Sequence, residues 1–187
     1  MKGRVTLRPL EIEDTCNIVR WRNSKEVKKN LFSQEDITEE QHIRYFNDFV
    51  RQNRCIQFII VVNDEDNSKD IGTIFIKNID IANKKGEFGI FIGEEKARGL
   101  GYSKYAIQEV LKFAFINLEL NRVYLSVLNN NKIAIHSYLS QGFLIEGRLR
   151  QDYYRNGTFY DVIVMSILKD EWLNKSFVDE TWGGGTV

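Results

Sequence analysis

The sequence predicts a mixed α/β domain, a central sheet with crossover helices on its faces, and three observations carry that expectation. Strand-like stretches follow one another through the first half, over 55–62, 71–77 and 87–92. The second half alternates, with a helix over 102–117, a strand over 122–128 and a helix over 130–140. The chain then closes on two long strand-like stretches joined by Asn156-Gly157, a dipeptide suited to a tight primed turn. Strands in succession followed by helix–strand alternation place helices across a sheet whose strands run in both directions.

Each element has a local reason. Val5-Thr6-Leu7-Arg8 is a short strand ended by Pro9, the only proline, which has no amide to donate. From 11 to 21, Ile12, Cys16 and Val19 recur at spacings of four and three, the period of an amphipathic helix. Thr38 and Gln41 form a capping box, and the helix it opens carries Ile43, Phe46 and Val50 on one face. Polar segments over 63–69 and 82–86 separate the strands that follow. Ala106, Val110, Phe113 and Ala114 fall at helical spacing after Gly99-Leu100-Gly101, and Val123, Leu125 and Val127 alternate as in a strand. Gly142 stops the next helix, and the closing hairpin spans 143–154 and 159–168. With no repeat or second core in view, 1–170 is expected to be one domain and 171–187, ending in Gly183-Gly184-Gly185, a tail.

Composition excludes several classes of function. Of 187 residues 43% are hydrophobic and 28% charged, which rules out a disordered or collagen-like chain. Lys plus Arg equals Asp plus Glu at 26 each, so the surplus of cations expected of a nucleic-acid binder is missing. The longest apolar run, 58–62, falls far short of the roughly 20 residues a membrane helix needs. Cys16 and Cys55 stand far apart without a CxxC, and with only two His they suit free thiols rather than a metal site. A soluble, cytoplasmic protein without metal, membrane or nucleic-acid partner is the expectation.

The chemistry is concentrated between Glu87 and Phe143. Lys96-Ala97-Arg98-Gly99-Leu100-Gly101-Tyr102-Ser103 follows a strand and opens a helix, where glycines allow a tight turn and free amides favour a phosphate. A dinucleotide fingerprint would need Gly or Ala where Lys104 stands, and a P-loop would need GxxxxGK, which is missing. The remaining pattern, (Gln/Arg)-x-x-Gly-x-(Gly/Ala), resembles the pyrophosphate loop of the Gcn5-related N-acetyltransferases, with Lys96 in place of the usual Gln or Arg. Asn131, Ala134, Tyr138 and Gly142-Phe143, about 30 residues on, resemble the second half of that family's core. Glu146-Gly147-Arg148, Asn156-Gly157, Asp161 and Leu7-Arg8-Pro9-Leu10 are similar to the group related to ribosomal-protein acetyltransferases. Trp21-Arg22-Asn23 with His42 and Phe46 resembles the branch that acetylates UDP-linked 4-amino sugars on the way to pseudaminic acid.

The resemblance implies a twisted mixed sheet of about seven strands, and direct acetyl transfer from acetyl-coenzyme A to a small-molecule amine. It implies that Tyr138 protonates the leaving thiolate and that Asn131 holds the pantetheine arm or caps its helix. The same likeness gives the pyrophosphate to Gly99, Leu100, Gly101, Tyr102 and Ser103, with charge from Lys96, Arg98 and Lys104. Phe91, Ile92 and Gly93 are expected to lend backbone groups to pantetheine and an amide to the thioester oxygen. Ser126 stands where many relatives carry the base, so Glu87 becomes the candidate; His136, on a different helical face from Tyr138, is expected to be structural or at the surface. Trp21, Arg22, Asn23 and His42 are candidate acceptor residues, and a nucleotide-linked amino sugar is the expected acceptor. Protein N-termini, polyamines and aminoglycosides are the alternatives, polyamines being disfavoured because the acidic stretch 64–70 belongs to a surface loop. A non-catalytic acetyl-coenzyme A binder is the reading from another class. The aromatic hairpin offers a surface for a homodimer.

Overall fold

The computed structural model describes residues 4–64 and 67–174. Seven strands form one sheet in the order β1-β2-β3-β4-β5-β7-β6. They are β1 (Arg4–Pro9), β2 (Cys55–Asn63), β3 (Ser68–Asp80), β4 (Lys85–Ile92), β5 (Arg122–Leu128), β6 (Leu144–Arg155) and β7 (Thr158–Leu168). Neighbours are antiparallel except β4 and β5, whose parallel pairing follows from the helical crossover between them. The expected α/β class and the seven-stranded mixed sheet are what the fold shows. At the hairpin tip both Asn156 (φ 49°) and Gly157 (φ 79°) have positive φ, as a primed turn requires.

Alternation along the strands sends residues to two helical layers. Ile60, Val62, Ile74, Ile76, Phe88, Val123 and Leu125 meet α4 (Tyr102–Lys112) and α5 (Lys132–Ser140) in the larger core. Ile59, Val61 and Phe91 point the other way, against α1 (Thr15–Asn23) and the turn after α3 (Glu39–Tyr45). A single turn, α2 (Lys25–Lys28), follows α1. Cys16 is exposed, Cys55 is buried, and both are free.

Three expectations about the first layer change. The stretch from 11 to 21 is not one helix: Asp14 accepts from the Glu11 amide at 2.9 Å and takes a two-pronged bond from Arg8, so a tight turn precedes α1. The buried face of α1 is Thr15, Ile18 and Trp21 rather than Ile12, Cys16 and Val19. On α3 the capping box forms as expected, but Ile43 is exposed and His42 faces inward at 3% exposure. The globular unit also continues past 170, because a helical turn over 169–174 lays Trp172 against Phe115, ring centres 5.5 Å apart. The remainder of the expected tail lies outside the described residues.

Arg8 ties the edge of the sheet. Its guanidinium bonds both oxygens of Asp14, at 2.8 and 2.7 Å, and Asp70 at 2.6 Å. Burial opposes ionisation of Asp14, but the hydrogen bonds from Arg8 and the Glu11 amide outweigh it and hold its carboxyl below the ordinary range. His42 is held the opposite way. Thr15 donates to the Ile12 carbonyl, so its oxygen accepts from His42 Nδ1 at 2.9 Å, and burial lowers the imidazole pKa despite Asp14 nearby.

Stability should therefore decline as pH falls through 6.5, the ordinary imidazole value, because the unfolded chain takes up a proton that buried His42 refuses. Urea titrations of wild type and His42→Gln between pH 7.5 and 5 check this: the slope should flatten in the variant. An identical slope in both would remove His42 as its cause.

Candidate active site

The site is a fork in the sheet. β4 and β5 pair only at Lys85↔Arg122, Gly86↔Val123 and Glu87↔Tyr124, and then part. Phe88 is the first β4 residue beyond the last pair. Its ring meets Tyr138 edge-on at 5.8 Å and Phe143 at 5.7 Å, while Tyr138 and Phe143 stand 5.8 Å apart. This closed triangle of rings packs against the helix side of the opening.

Parting leaves one edge of β4 with free backbone groups. The Gly93 amide donates to the Ile71 carbonyl at 2.8 Å, which fixes the phase of the β3–β4 ladder. Phe91 and Gly89 share that phase and turn toward β3, whereas Phe88, Ile90 and Ile92 turn toward the fork. Of the three residues expected to serve a ligand here, Ile92 alone presents its amide. Phe91 and Gly93 do not, because their amides complete the ladder.

Beyond β4 the chain makes a tight turn over Glu95–Ala97 and reaches the glycine loop. Gly99 has φ 74°, and Gly101, the N-cap of α4, has φ 83°. A side chain at Gly99 would have open space, so it is the backbone angle that calls for glycine there. Among the described residues, the amides of Gly99, Leu100, Gly101, Tyr102 and Ser103 have no hydrogen-bond partner. Five consecutive donors at the positive end of an 11-residue helix, flanked by exposed Lys96 and Lys104, suit a pyrophosphate. Arg98 departs from its expected role: its Nε donates to the Ile92 carbonyl at 3.1 Å and a terminal nitrogen to the Gly93 carbonyl at 2.7 Å.

Tyr138 lies at the fork with its ring against the larger core, and burial pushes its phenol up to about 12. Asn131 caps α5, its side-chain oxygen accepting from the Ala134 amide at 3.2 Å, which leaves its Nδ2 donor available. Glu87 sits on the opposite face of β4 from Phe88 and Tyr138. One of its oxygens is 3.2 Å from Lys77 Nζ and the other accepts from Asn78 at 2.7 Å. Tyr124 is its register partner across the fork, and burial and the Glu87 charge together raise the Tyr124 pKa. Ser126 and His136 are exposed.

The expected acceptor residues prove to be largely framework. Trp21 is 1% exposed; its indole packs on Gly93 and donates to Glu94 at 2.7 Å. Asn23 is paired on both sides with the Ile37 backbone, at 2.8 and 2.9 Å. His42 is buried, with Nδ1 on Thr15 and Nε2 without a partner. Arg22 bonds the Ser33 carbonyl at 2.9 Å, while its other terminal nitrogen is buried without a partner. The spacing had missed Phe75, whose ring lies over Gly89 so closely that an added Cβ would stand 2.3 Å from it. Only the cross-strand register Phe75↔Gly89 could have revealed that contact.

The model of the acetyltransferase (GNAT) domain matches residues 4–143. The spermidine N(1)-acetyltransferase of Vibrio cholerae is 30% identical over 177 residues, 94% of this chain and 99% of that one. The enzyme of the same name from Escherichia coli is 27% identical over 169 residues, 90% of this chain and 88% of its own. Among solved structures, the spermidine N-acetyltransferase of Vibrio cholerae in complex with CoA and spermine superposes with a TM-score of 0.84 at 28% identity, covering 91% of this chain and 98% of that one.

Gly93→Ala should be destabilising, since the new Cβ would stand 2.1 Å from the Trp21 indole. Overpacking of this kind costs about 1–3 kcal/mol, or a melting temperature lower by roughly 3–10 °C, readable by calorimetry. An unchanged melting temperature would show that α1 does not lean on this strand end.

Proposed function

The chain belongs to the GNAT acetyltransferase family and uses acetyl-coenzyme A as cosubstrate, and on that premise we propose that it acetylates a primary amine of a polyamine. Supporting the donor half is one arrangement: a free β4 edge that runs out above five unpartnered amides. A pantetheine arm would lie along the Phe88–Ile92 edge like an added strand, and the pyrophosphate would sit on the amides from Gly99 to Ser103. Ile92 N–H would then meet the thioester oxygen as it gains charge. Tyr138, with its phenol pushed up to about 12, stays protonated through neutral pH and would hand its proton to the departing sulfur. Glu87, tethered by Lys77 and Asn78 on the other face of β4, would accept the ammonium proton through water.

For the acceptor, nearly full-length likeness to spermidine acetyltransferases outweighs the expected nucleotide-linked amino sugar. An acidic run also exists where none was anticipated: Glu35, Asp36, Glu39 and Glu40 are all exposed between α2 and the start of α3. The tip of the β6–β7 hairpin reaches the same segment, with the Tyr153 hydroxyl on the Phe32 carbonyl and Arg155 on the Lys29 carbonyl at 3.1 Å. A polycation is drawn to such a cluster. A phosphate-bearing acceptor is the second reading, favoured by the buried, unpartnered Arg22 nitrogen.

Thiol release with spermidine, spermine, UDP-linked amino sugars, aminoglycosides and N-terminal peptides separates these readings. Fast spermidine turnover and silent sugars are expected; the reverse would overturn the polyamine acceptor. Tyr138→Phe should lower kcat by roughly ten- to a thousand-fold with little change in cofactor affinity. Because Tyr138 titrates so high, the wild-type kcat profile should show no alkaline fall up to pH 10. A fall below pH 10 that vanishes in Tyr138→Phe would contradict the raised pKa while keeping Tyr138 as the acid.

A further inference from the structure

We infer that Arg98 is a positioning residue: it clasps the end of β4 so that Ile92 N–H, the last of the amides that this strand turns toward the fork, is held rigidly toward the reacting thioester. The inference rests on the acetyl-transfer reading of the fork. Its family-like neighbours in the glycine loop suggest a phosphate contact for this cation, but the side chain is committed elsewhere. Arg98 Nε and one terminal nitrogen are bonded to the carbonyls of Ile92 and Gly93, at 3.1 and 2.7 Å.

The other polar groups of the strand end are tied as well. The amides of Gly93 and Glu94 both donate to the Ile71 carbonyl, at 2.8 and 3.0 Å. The Glu94 carboxylate accepts from Trp21 Nε1 at 2.7 Å and from Arg20 at 2.5 Å, which holds its pKa below the ordinary range. The Trp21 indole lies against Gly93 so tightly that no Cβ fits. From Ile92 to Glu94, the ladder, α1 and Arg98 together account for the polar groups, and the Ile92 amide alone is left pointing into the fork. A donor that is already oriented needs no reorganisation as charge develops on its acceptor.

Arginine is suited to this and lysine is not. Two carbonyls on successive residues need two donors in a fixed fork, which a guanidinium supplies and a single ammonium does not. A phosphate contact makes no such demand, because lysine also binds phosphate as a point charge. The clasp and the phosphate contact therefore predict opposite behaviour for the conservative change.

The test compares full-length wild type, Arg98→Lys and Arg98→Met by thiol release at saturating acetyl-coenzyme A, together with calorimetric titration of coenzyme A and circular dichroism of each protein. Expected is a kcat lower by about ten- to a hundred-fold in both variants, with coenzyme A affinity within about threefold of wild type. Arg98→Lys guards against a methionine variant that fails to fold, since it keeps the charge. Full turnover in Arg98→Lys, or a variant that loses coenzyme A affinity while keeping wild-type kcat, would overturn the clasp and return Arg98 to the phosphate. Wild type is run in parallel against the amine panel: silence there would remove the acetyl-transfer reading and the clasp with it, whereas an active wild type beside an unimpaired variant would remove the clasp alone.

Discussion

Everything in the site depends on β4 and β5 separating after three register pairs. Parallel strands that stay paired bury their backbone groups in one another. Strands that part expose N–H and C=O groups that must find another partner. Here the rings of Phe88, Tyr138 and Phe143 pack against the helix side of the parting, and the exposed β4 edge becomes a template for an extended ligand. The same three rings that close the core thus hold Tyr138 beside the exposed edge.

Around the fork the two helical layers divide the work. α4 packs its apolar face on the sheet through Ala106, Ile107, Val110 and Leu111, which leaves its N-terminus and the glycine loop free to meet an anion. α1 grips the opposite face through Trp21, and its hold on Gly93 and Glu94 links that layer to the residues that lead into the glycine loop. The β6–β7 hairpin then returns across the sheet to touch the segment between α2 and α3, where the acidic run lies. Elements far apart in the chain are therefore joined through direct contacts, buried at Trp21 and exposed at the hairpin tip.

Much of this was legible because it is local. The glycine loop, the capping box of α3, the Asn156-Gly157 turn and the alternation of β5 each depend on residues within one or two turns of one another. Misreadings arose where a residue type had two uses. Trp21, Asn23 and His42 have the chemistry of ligand-binding residues, but their partners, Gly93, Ile37 and Thr15, come from other elements and make them framework. The stripe on α1 was misplaced for a related reason: Thr15 and Trp21 are buried by partners that spacing cannot name.

The sequence by itself determined the α/β class and the loop that suits a pyrophosphate, because a period, a left-handed glycine and a helix start are all local requirements, and the motifs around Gly99 and Tyr138 carried the resemblance to the acetyltransferase family. Only the tertiary structure decided which amide faces the fork, that Arg98 binds carbonyls, and that Glu87 stands on the opposite face from Tyr138. Those facts depend on ladder phase and cross-strand register. A shift of one residue reverses both, and no single stretch of sequence records the register between strands that pair across a turn or a helical crossover.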